Sequence, residues 1–517
     1  MEPRRDEQTM TAQQEDQRSA PPADLARKAS RGTLVTAGGL WGRALLQTGS
    51  TVVLARLLDP TDFGLLAMIT AIVGVADLLR DFGLTAALIQ TRTMTTALWS
   101  SALWLSVVLG TVLAVAVAAA APLIALLYGE PQLVLLTIVI APTLLINGIA
   151  MPMQAKLQRE LRFTTLAHID VGSMLVGVAL SIGAAVLGWG VWSLVLLAGA
   201  GQVYRLVALW LSARPRFGPP RISRAVLPLV STGGSVFGVQ LLNYAARNLD
   251  NVVIGHQLGP QELGYYSRAY ALFLLPLQQL NGPLGRVALP VLSTLRDEPE
   301  RFRSYIRGAV LMIGYLTIPA YAVAAAVSGP LIALLLGPGW QPAGLVFSLL
   351  AVAGVVQAVG SVQGWLYLTL ERAHRQLIYY AITRPLVIAG FFFGVWWGGI
   401  AGVALVYSLT TLVLAVPGFW FAIRGTFVRG TDIVGPLARP ALAALPAFGA
   451  AFLALQFVDG PAVLELLAGC GAGLVPLALV CLIPAYRRDL RRIVGFVALV
   501  RRRSAPASTP TPEGAEA

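Results

Sequence analysis

Four arginines interrupt stretches of sequence that are otherwise strongly apolar: Arg43, Arg247, Arg268 and Arg384. An ionised side chain in the middle of a bilayer costs at least about 2.5–3.5 kcal/mol, so each one needs a polar partner or a ligand. Guanidinium groups bind phosphate oxygens through paired hydrogen bonds. The arginines therefore predict a cavity for an anionic ligand shared by several of them, and a structural ion pair is the alternative for each.

Other polar residues lie on the same predicted helical faces as these arginines. Gln47 follows Arg43 by four residues, and Asn243, Arg247 and Asp250 recur at helical spacing. An ion pair between Arg247 and Asp250 is an open alternative for that stripe. The predicted substrate-binding set is Arg43, Gln47, Asn243, Arg247, Asp250, Arg268 and Arg384, and tyrosines and amides near them are expected to hold sugars.

A second group of charges suits a gate or an ion-coupling step. Asp77, Arg80 and Asp81 follow one another at helical spacing, and Asp170 lies inside another apolar segment. Local salt bridges between helices are an equally open interpretation of these four residues.

Enzyme and metal signatures do not occur in this sequence. The three histidines, His168, His256 and His374, are not spaced as metal ligands, and neither a phosphate-binding Gly-rich loop nor a G-x-S-x-G motif is present. We therefore predict no catalytic residue, no metal and no cofactor. Transport would then depend on an ion gradient, the membrane potential or removal of the substrate outside.

The composition identifies the environment in which these residues lie. The 517 residues are 56% hydrophobic and only 12% charged, whereas a soluble domain carries about 25% charged residues. Apolar stretches such as 97–122 are long and unbroken, which favours transmembrane helices over a barrel. We predict an all-α integral membrane protein with both termini in the cytoplasm and about fourteen helices. Their ranges are 33–55, 63–79, 97–121, 131–153, 164–187, 190–212, 225–249, 262–290, 304–328, 341–370, 376–397, 399–423, 436–458 and 461–485.

The distribution of basic residues sets this predicted topology. Most of the 38 Lys and Arg residues fall in the two tails and in every second loop, as the positive-inside rule requires of cytoplasmic segments. The net charge of +13 is explained in this way, so we expect no nucleic-acid partner. The tail 1–32 is predicted to be disordered, and 486–517 is predicted to be a basic or disordered cytoplasmic tail.

An internal repeat divides the predicted helices into two lobes. The segment 122–129 matches 330–337 at every position but one, and Leu58 and Pro60 align with Leu258 and Pro260. Six predicted helices separate equivalent points, so the copies enter the membrane in parallel. We predict an N-lobe over 33–212, a C-lobe over 225–423 and two further helices over 436–485. Parallel repeats of this kind are typical of transporters that bind substrate between their halves.

Two segments carry a family resemblance. LARLLDPTDFGLLAM at 54–68 and DFGLTAALIQ at 81–90, supported by 248–255 and 258–270, resemble the polysaccharide-transporter (Wzx-like) family of lipid-linked oligosaccharide flippases. This family belongs to the multidrug/oligosaccharidyl-lipid/polysaccharide flippase superfamily, and the resemblance covers about residues 30–425. It implies a V-shaped fold like that of the multidrug-extrusion (MATE) transporters. It also implies alternating-access flipping of undecaprenyl-diphosphate-linked oligosaccharides across the plasma membrane.

Partners and alternatives follow from the same resemblance. We expect a monomer among membrane lipids that works with polysaccharide polymerases and glycosyltransferases. A MATE-like drug or cation antiporter is the alternative, although a cavity for organic cations requires acidic residues and aromatic faces. A membrane polysaccharide polymerase or ligase would favour a large outer loop, and every predicted outer loop is short.

Overall fold

The computed structural model describes residues 42, 45–81, 84–90, 95–214 and 227–504. These residues are helices joined by short turns, with no strand among them, so the all-α prediction is confirmed. The helices are α1 (45–57), α2 (Pro60–Asp81), α3 (Leu84–Gln90), α4 (Thr96–Tyr128), α5 (Gln132–Ile140), α6 (Pro142–Arg159), α7 (Phe163–Val186), α8 (Val191–Ala213), α9 (Leu227–Thr294), α10 (Pro299–Ala326), α11 (Ser328–Leu335), α12 (Gln341–Thr369), α13 (Ala373–Ile423), α14 (Thr431–Phe457), α15 (Ala462–Val480) and α16 (Pro484–Ser504).

Ten of the apolar segments in the described ranges are long enough to cross a membrane, and the chain is a multi-pass membrane protein. Two long helices are each broken at glycine. Gly259 has φ 84° and divides α9, and Gly399 has φ 57° and divides α13, together with its neighbour Gly398. Positive φ is a conformation that glycine adopts without a steric penalty. Counting the halves of α13 separately makes these ten segments eleven, and the two halves of α9 add two more, which is close to the predicted count of about fourteen.

The chain divides into two compact units, one ending at Ala245 and the other beginning at Ala246. The two units divide inside α9, and the lobe boundary that the sequence predicts in the loop 213–224 stays a prediction. Tyr244 explains why the start of α9 belongs to the first unit, because its hydroxyl donates to the Thr70 carbonyl of α2 at 2.8 Å. A Cβ at Gly74 would lie 1.9 Å from that hydroxyl, so a larger residue there would displace the Tyr244 side chain.

Close helix contacts through glycine hold the first unit together. A Cβ at Gly177 of α7 would lie 2.7 Å from the Leu197 carbonyl oxygen of α8. A Cβ at Gly148 of α6 would similarly lie 2.7 Å from the Ser106 carbonyl oxygen of α4. Small residues let membrane helices approach closely where lipid supplies no hydrophobic drive for association.

The second unit contains a helix that the sequence did not predict. Within 486–504, part of the segment predicted as a basic or disordered cytoplasmic tail, the structure has the basic helix α16; residues 505–517 lie outside the described range. Tyr486, Asp489 and Phe496 recur at helical spacing on α16. Asp489 is 2% exposed, and its carboxylate accepts hydrogen bonds from Arg439 at 2.8 Å and Tyr315 at 3.1 Å. These contacts fix α16 to α10 and α14.

Candidate functional site: a polar cavity in the second unit

A cavity of about 530 Å³ lies within the second unit. Both halves of α9, both halves of α13 and the second part of α12 supply its walls. Binding sites for small molecules usually have volumes of ≈ 300–1,000 Å³. These helices are otherwise largely apolar, and the cavity groups their polar side chains.

Arg384 is the basic residue that the first half of α13 brings to this cavity. It lies near the middle of 373–397, where an ionised side chain facing lipid would be costly. Its guanidinium carbon lies 4.8 Å from the centre of the Tyr380 ring, one turn earlier on the same helix. Its Nε is buried and makes no hydrogen bond to the described part of the chain. The stacking on Tyr380 therefore positions the Arg384 guanidinium, which can still donate hydrogen bonds to a ligand.

Arg247 supplies a second positive charge to the cavity. Asp250 does not line the cavity and is only 2% exposed. The Asp250 carboxylate instead accepts hydrogen bonds from the Tyr266 hydroxyl and the Asn251 backbone N–H, both at 2.9 Å. No ion pair joins Arg247 to Asp250 in the described residues, so the structural-pair alternative is wrong in this conformation.

Amide and hydroxyl side chains form most of the remaining polar wall. Gln357 is held in place because its Nε2 donates to the Tyr407 hydroxyl oxygen at 2.9 Å. Carboxamides and hydroxyls each offer both donors and acceptors. The carboxamides that line the cavity are Gln278, Asn281, Gln357 and Gln363, and the aliphatic hydroxyls are Ser361, Thr383 and Thr411.

Tyrosines form an aromatic side of the same cavity. The Tyr270 ring stacks on Tyr266 with centroids 5.9 Å apart and lies 6.2 Å from the Tyr407 ring. Tyr379 is anchored by its hydroxyl, which donates to the Leu414 carbonyl at 2.7 Å. Tyr270, Tyr379, Tyr380 and Tyr407 all line the cavity. The aromatic side is therefore built from rings whose orientations are set by neighbouring contacts.

The electrostatic character of the cavity is positive. Its walls carry two arginines, and neither an aspartate nor a glutamate is among the lining residues. Charges of one sign on a cavity wall attract a ligand of the opposite sign. The cavity therefore suits an anionic ligand.

The structure brings together part of the predicted substrate-binding set. Arg247 and Arg384 share the cavity, whereas Gln47, in α1 of the first unit, and Arg268 are not among its lining residues. Arg43 and the side chain of Asn243 lie outside the described part of the structure, so their predicted contacts stay predictions.

Sequence reasoning missed most of the cavity wall, although a signal was present. Polar residues occur in helical pairs on apolar helices: Gln278 with Asn281, Gln357 with Ser361, Tyr380 with Arg384, and Tyr407 with Thr411. Residues three or four apart share a helical face. A search for pairs of polar residues, charged or uncharged, would have found these positions, whereas the sequence analysis followed charges alone.

The predicted gate or coupling residues lie in local contacts within the first unit. Arg80 pairs with Asp77 at 3.2 Å, and Asp81 accepts a hydrogen bond from the Thr85 hydroxyl. Asp170 of α7 pairs with Arg205 of α8 at 3.4 Å. These contacts match the salt-bridge interpretation, and the gate or coupling role stays a prediction.

Comparison with known proteins identifies the family. A sequence model of the polysaccharide biosynthesis protein family matches residues 53–345, which is more than half of the chain. The chain belongs to the polysaccharide biosynthesis protein family. This family match contains all four segments that carry the resemblance found in the sequence.

Relatives and solved structures agree with this membership of the polysaccharide biosynthesis family. The chain is 27% identical to the lipopolysaccharide biosynthesis protein WzxC of Escherichia coli (strain K12), over 70% of this chain and 74% of that protein. Its fold is similar to that of the lipid II flippase MurJ in an inward closed conformation, with TM-score 0.69, 14% identity and coverage of 88% and 99%. An inward-facing multidrug resistance MATE transporter gives TM-score 0.56 at 17% identity, covering 74% of this chain and 93% of the transporter. The structural matches show a shared fold.

Proposed function

We propose that this protein is a flippase that moves undecaprenyl-diphosphate-linked oligosaccharides across the plasma membrane for polysaccharide biosynthesis. The observation that carries the proposal is a polar cavity among long apolar helices, with two arginines and no carboxylate among its lining residues. Membership of the polysaccharide biosynthesis family and the fold shared with a lipid II flippase support the same conclusion. The protein acts as a transporter without catalytic residues, and both of its termini face the cytoplasm.

The chemistry of the cavity fits the translocation step. A lipid-linked oligosaccharide has an apolar tail that stays in the bilayer and a hydrophilic head that cannot cross it unaided. Arg247 and Arg384 would replace water around the anionic part of the head, and the amides and tyrosines would replace water around the sugars. Alternating access then requires the loaded cavity to open first to one side of the membrane and then to the other.

A MATE-like antiporter of organic cations is the competing function, because the fold is shared with such transporters. A cationic drug is recognised by carboxylates and by the faces of aromatic rings. The aromatic rings are present in this cavity, but its charged lining residues are both arginines. This sign of charge favours an anionic substrate.

A reconstitution experiment tests the proposed function. Purified protein in proteoliposomes is given a fluorescent undecaprenyl-diphosphate oligosaccharide, and translocation is followed by quenching with an impermeant reductant. We expect translocation by the wild type, and a loss of about tenfold or more in Arg384→Gln, because a charged hydrogen-bonding group is removed from the substrate path. Arg301→Gln is the matched control, since the Arg301 side chain is 71% exposed and pairs only with Glu298 in the described residues.

The outcomes separate the two candidate functions. Failure of the wild type to translocate any lipid-linked oligosaccharide would reject the proposal. Transport of an organic cation such as ethidium under a proton or sodium gradient, in the same vesicles, would favour the antiporter.

A further inference from the structure

We infer that α16 (Pro484–Ser504) is a membrane-surface helix whose exposed arginines bind the phosphate groups of anionic phospholipids. The helix is strongly amphipathic and holds seven arginines and one aspartate. It belongs to the second unit but lies outside the cavity, so the inference goes beyond the proposed flippase function and does not depend on it. The ligand is an anionic phospholipid of the surrounding bilayer, such as phosphatidylglycerol.

The position of α16 in the chain places its start at the edge of the bilayer. The preceding helix α15 (Ala462–Val480) is one of the apolar segments able to cross a membrane, and only three residues separate the two helices. The 19 residues of α15 are about 28 Å long, which matches the hydrocarbon core of a bilayer and leaves the helix ends at the headgroups. Arg487 joins the first turn of α16 to this end, because its Nε donates to the Cys481 carbonyl at 3.0 Å.

One face of α16 is docked against the protein and sets the direction of the other faces. Asp489 on this face is buried and accepts hydrogen bonds from Arg439 of α14. Phe496, two turns later, has its ring centroid 4.9 Å from that of Tyr305 of α10. The same ring packs over Gly308, where a Cβ would lie 2.7 Å from the Phe496 Cδ2. These contacts fix the rotation of the helix, so its remaining faces point away from α10 and α14.

Leu490 and Val494 form an exposed apolar strip beside the docked face. They lie one turn apart, and their exposed fractions are 38% and 69%. Removing such a strip from water is favourable, and acyl chains provide the apolar surroundings for it. Helices at a membrane surface bury a strip of this kind in the acyl-chain region and turn their basic residues toward the headgroups. The strip therefore favours the bilayer over a soluble partner as the neighbour of α16.

A basic face adjoins the apolar strip. Arg488, Arg491 and Arg492 recur at helical spacing on it, and all three are exposed. Arg492 lies 3.9 Å from Asp489, whereas Arg488 and Arg491 form neither a hydrogen bond nor an ion pair with the part of the chain that the structure describes. Guanidinium groups bind phosphate oxygens through paired hydrogen bonds. Each basic residue near an anionic membrane surface adds to the affinity, so the charge of this face selects anionic over zwitterionic phospholipids.

Gly495 offers a position for a fluorescent reporter on the basic face. It follows Arg491 by four residues, and a Cβ there would meet nothing within 4 Å. Full-length Gly495→Cys protein, with Cys470 and Cys481 replaced by alanine, is labelled with bimane.

The labelled protein in a neutral detergent is titrated with phosphatidylglycerol or phosphatidylcholine that carries a doxyl quencher. We expect half-maximal quenching at a mole fraction of phosphatidylglycerol about tenfold or more below that of phosphatidylcholine, because several arginines act on the anionic headgroup. The preference should shrink at about 1 M salt, where charges at the surface are screened.

Variants assign the preference to the faces of α16. Arg488→Gln combined with Arg491→Gln should remove most of the preference for phosphatidylglycerol, and Arg491→Lys, which keeps the charge, should retain most of it. Leu490→Ser combined with Val494→Ser should weaken quenching by both lipids. Arg286→Gln is the control, because it removes an exposed arginine from α9, which is not one of the two helices against which α16 docks. It should behave as wild type.

Three results would overturn the inference. The first is equal quenching by the two lipids, which would mean that the arginines contact water alone. The second is a preference for phosphatidylglycerol that survives in the double arginine variant. The third is reversal of the quenching by millimolar inorganic phosphate, which would show a site for free phosphate instead of a lipid surface. Thermal unfolding identifies a variant that has lost its fold. If the double variant has done so, Arg491→Gln takes its place, and an unchanged preference there would equally overturn the inference.

Discussion

Arg162 and Arg372 occupy equivalent turns in the two units and hold the same kind of contact. Each follows a residue with left-handed backbone, Leu161 at φ 55° and Glu371 at φ 56°. Arg162 donates to the Ser212 carbonyl at 2.9 Å, near the end of α8. Arg372 donates to the carbonyls that follow α13, those of Arg424 and, at 2.8 Å, Gly425. Each arginine thus satisfies carbonyls that have no partner within their own helix.

The contact between Glu371 and Arg296, in the second of these turns, should make a pH-dependent contribution to the stability of the fold. Hydrogen bonds from the Arg296 guanidinium hold the pKa of the Glu371 carboxyl below its ordinary value of 4.5. A lowered folded-state pKa stabilises the protein above the unfolded-state pKa, and this stabilisation is lost as pH falls through the folded-state pKa. Glu371→Gln should therefore unfold at a slightly lower temperature than wild type at pH 7, with the difference vanishing in acid. Thermal unfolding of both proteins, measured from pH 7 down into acid, checks this prediction. A difference in unfolding temperature that persists or grows in acid would contradict it.

At Gly418, the second half of α13 packs closely against two residues of the cavity wall. A Cβ at this position would lie 2.7 Å from both the Gln363 Nε2 and the Tyr379 hydroxyl oxygen. Gly418→Ala should therefore displace both side chains and reduce transport by about tenfold or more, as a small misplacement of binding groups does. Gly449→Ala in α14 is the matched control, because a Cβ there meets nothing within 4 Å. Equal transport by the two variants would show that this wall tolerates displacement.

Replacing Arg247 and replacing Tyr266, the hydrogen-bond partner of Asp250, should affect protein abundance differently when abundance and polymer export are measured together. Arg247→Ala should lower export and leave abundance near normal, because no ion pair to Asp250 is lost. Tyr266→Phe removes a hydroxyl donor from the buried Asp250 carboxylate, which costs about 1–3 kcal/mol, so abundance should fall. A large fall in abundance for Arg247→Ala would restore the ion-pair interpretation. Quantitative immunoblots of membranes, with surface polymer assayed in the same cells, provide the measurement.

The topology predicts which loops react with an impermeant thiol reagent in intact cells. Single cysteines in 154–163, 213–224 and 424–435 should resist labelling, because these basic loops are expected in the cytoplasm. Cysteines at Gly188 and Asp459 should react. Cys470 and Cys481, which are free thiols, must first be replaced by alanine. Labelling of the loop 213–224 from outside would reverse the orientation of the chain.

The membrane fold was predictable because its signals are local and strong. Unbroken apolar segments define the helices, and Pro60 and Pro260 mark equivalent helix starts that the structure retains beside the break at Gly259. The helix α16 was missed because its arginines suggested a solvated tail, whereas the Asp489 contact that fixes it depends on residues far away in the sequence.

The candidate site was only partly predictable. Arg247 and Arg384 stood out because charge is rare in apolar helices, and both line the cavity. Asp250 was equally conspicuous, but which side of a helix faces the cavity depends on packing, and Tyr266 binds it elsewhere. Uncharged side chains such as Gln357 attracted no attention, because a single amide in a membrane helix carries little energetic signal.

The docking of α16 bears on how this protein should be shortened or fused to a reporter. Truncation at residue 486, where sequence alone suggests a dispensable tail, would remove the acceptor that Asp489 provides for Arg439 and Tyr315. The exposed donors would then destabilise the packing of α10 against α14, and the shortened protein would resemble a folding mutant. A reporter joined after Ser504 keeps α16 and its hydrogen bonds to Arg439 and Tyr315 intact.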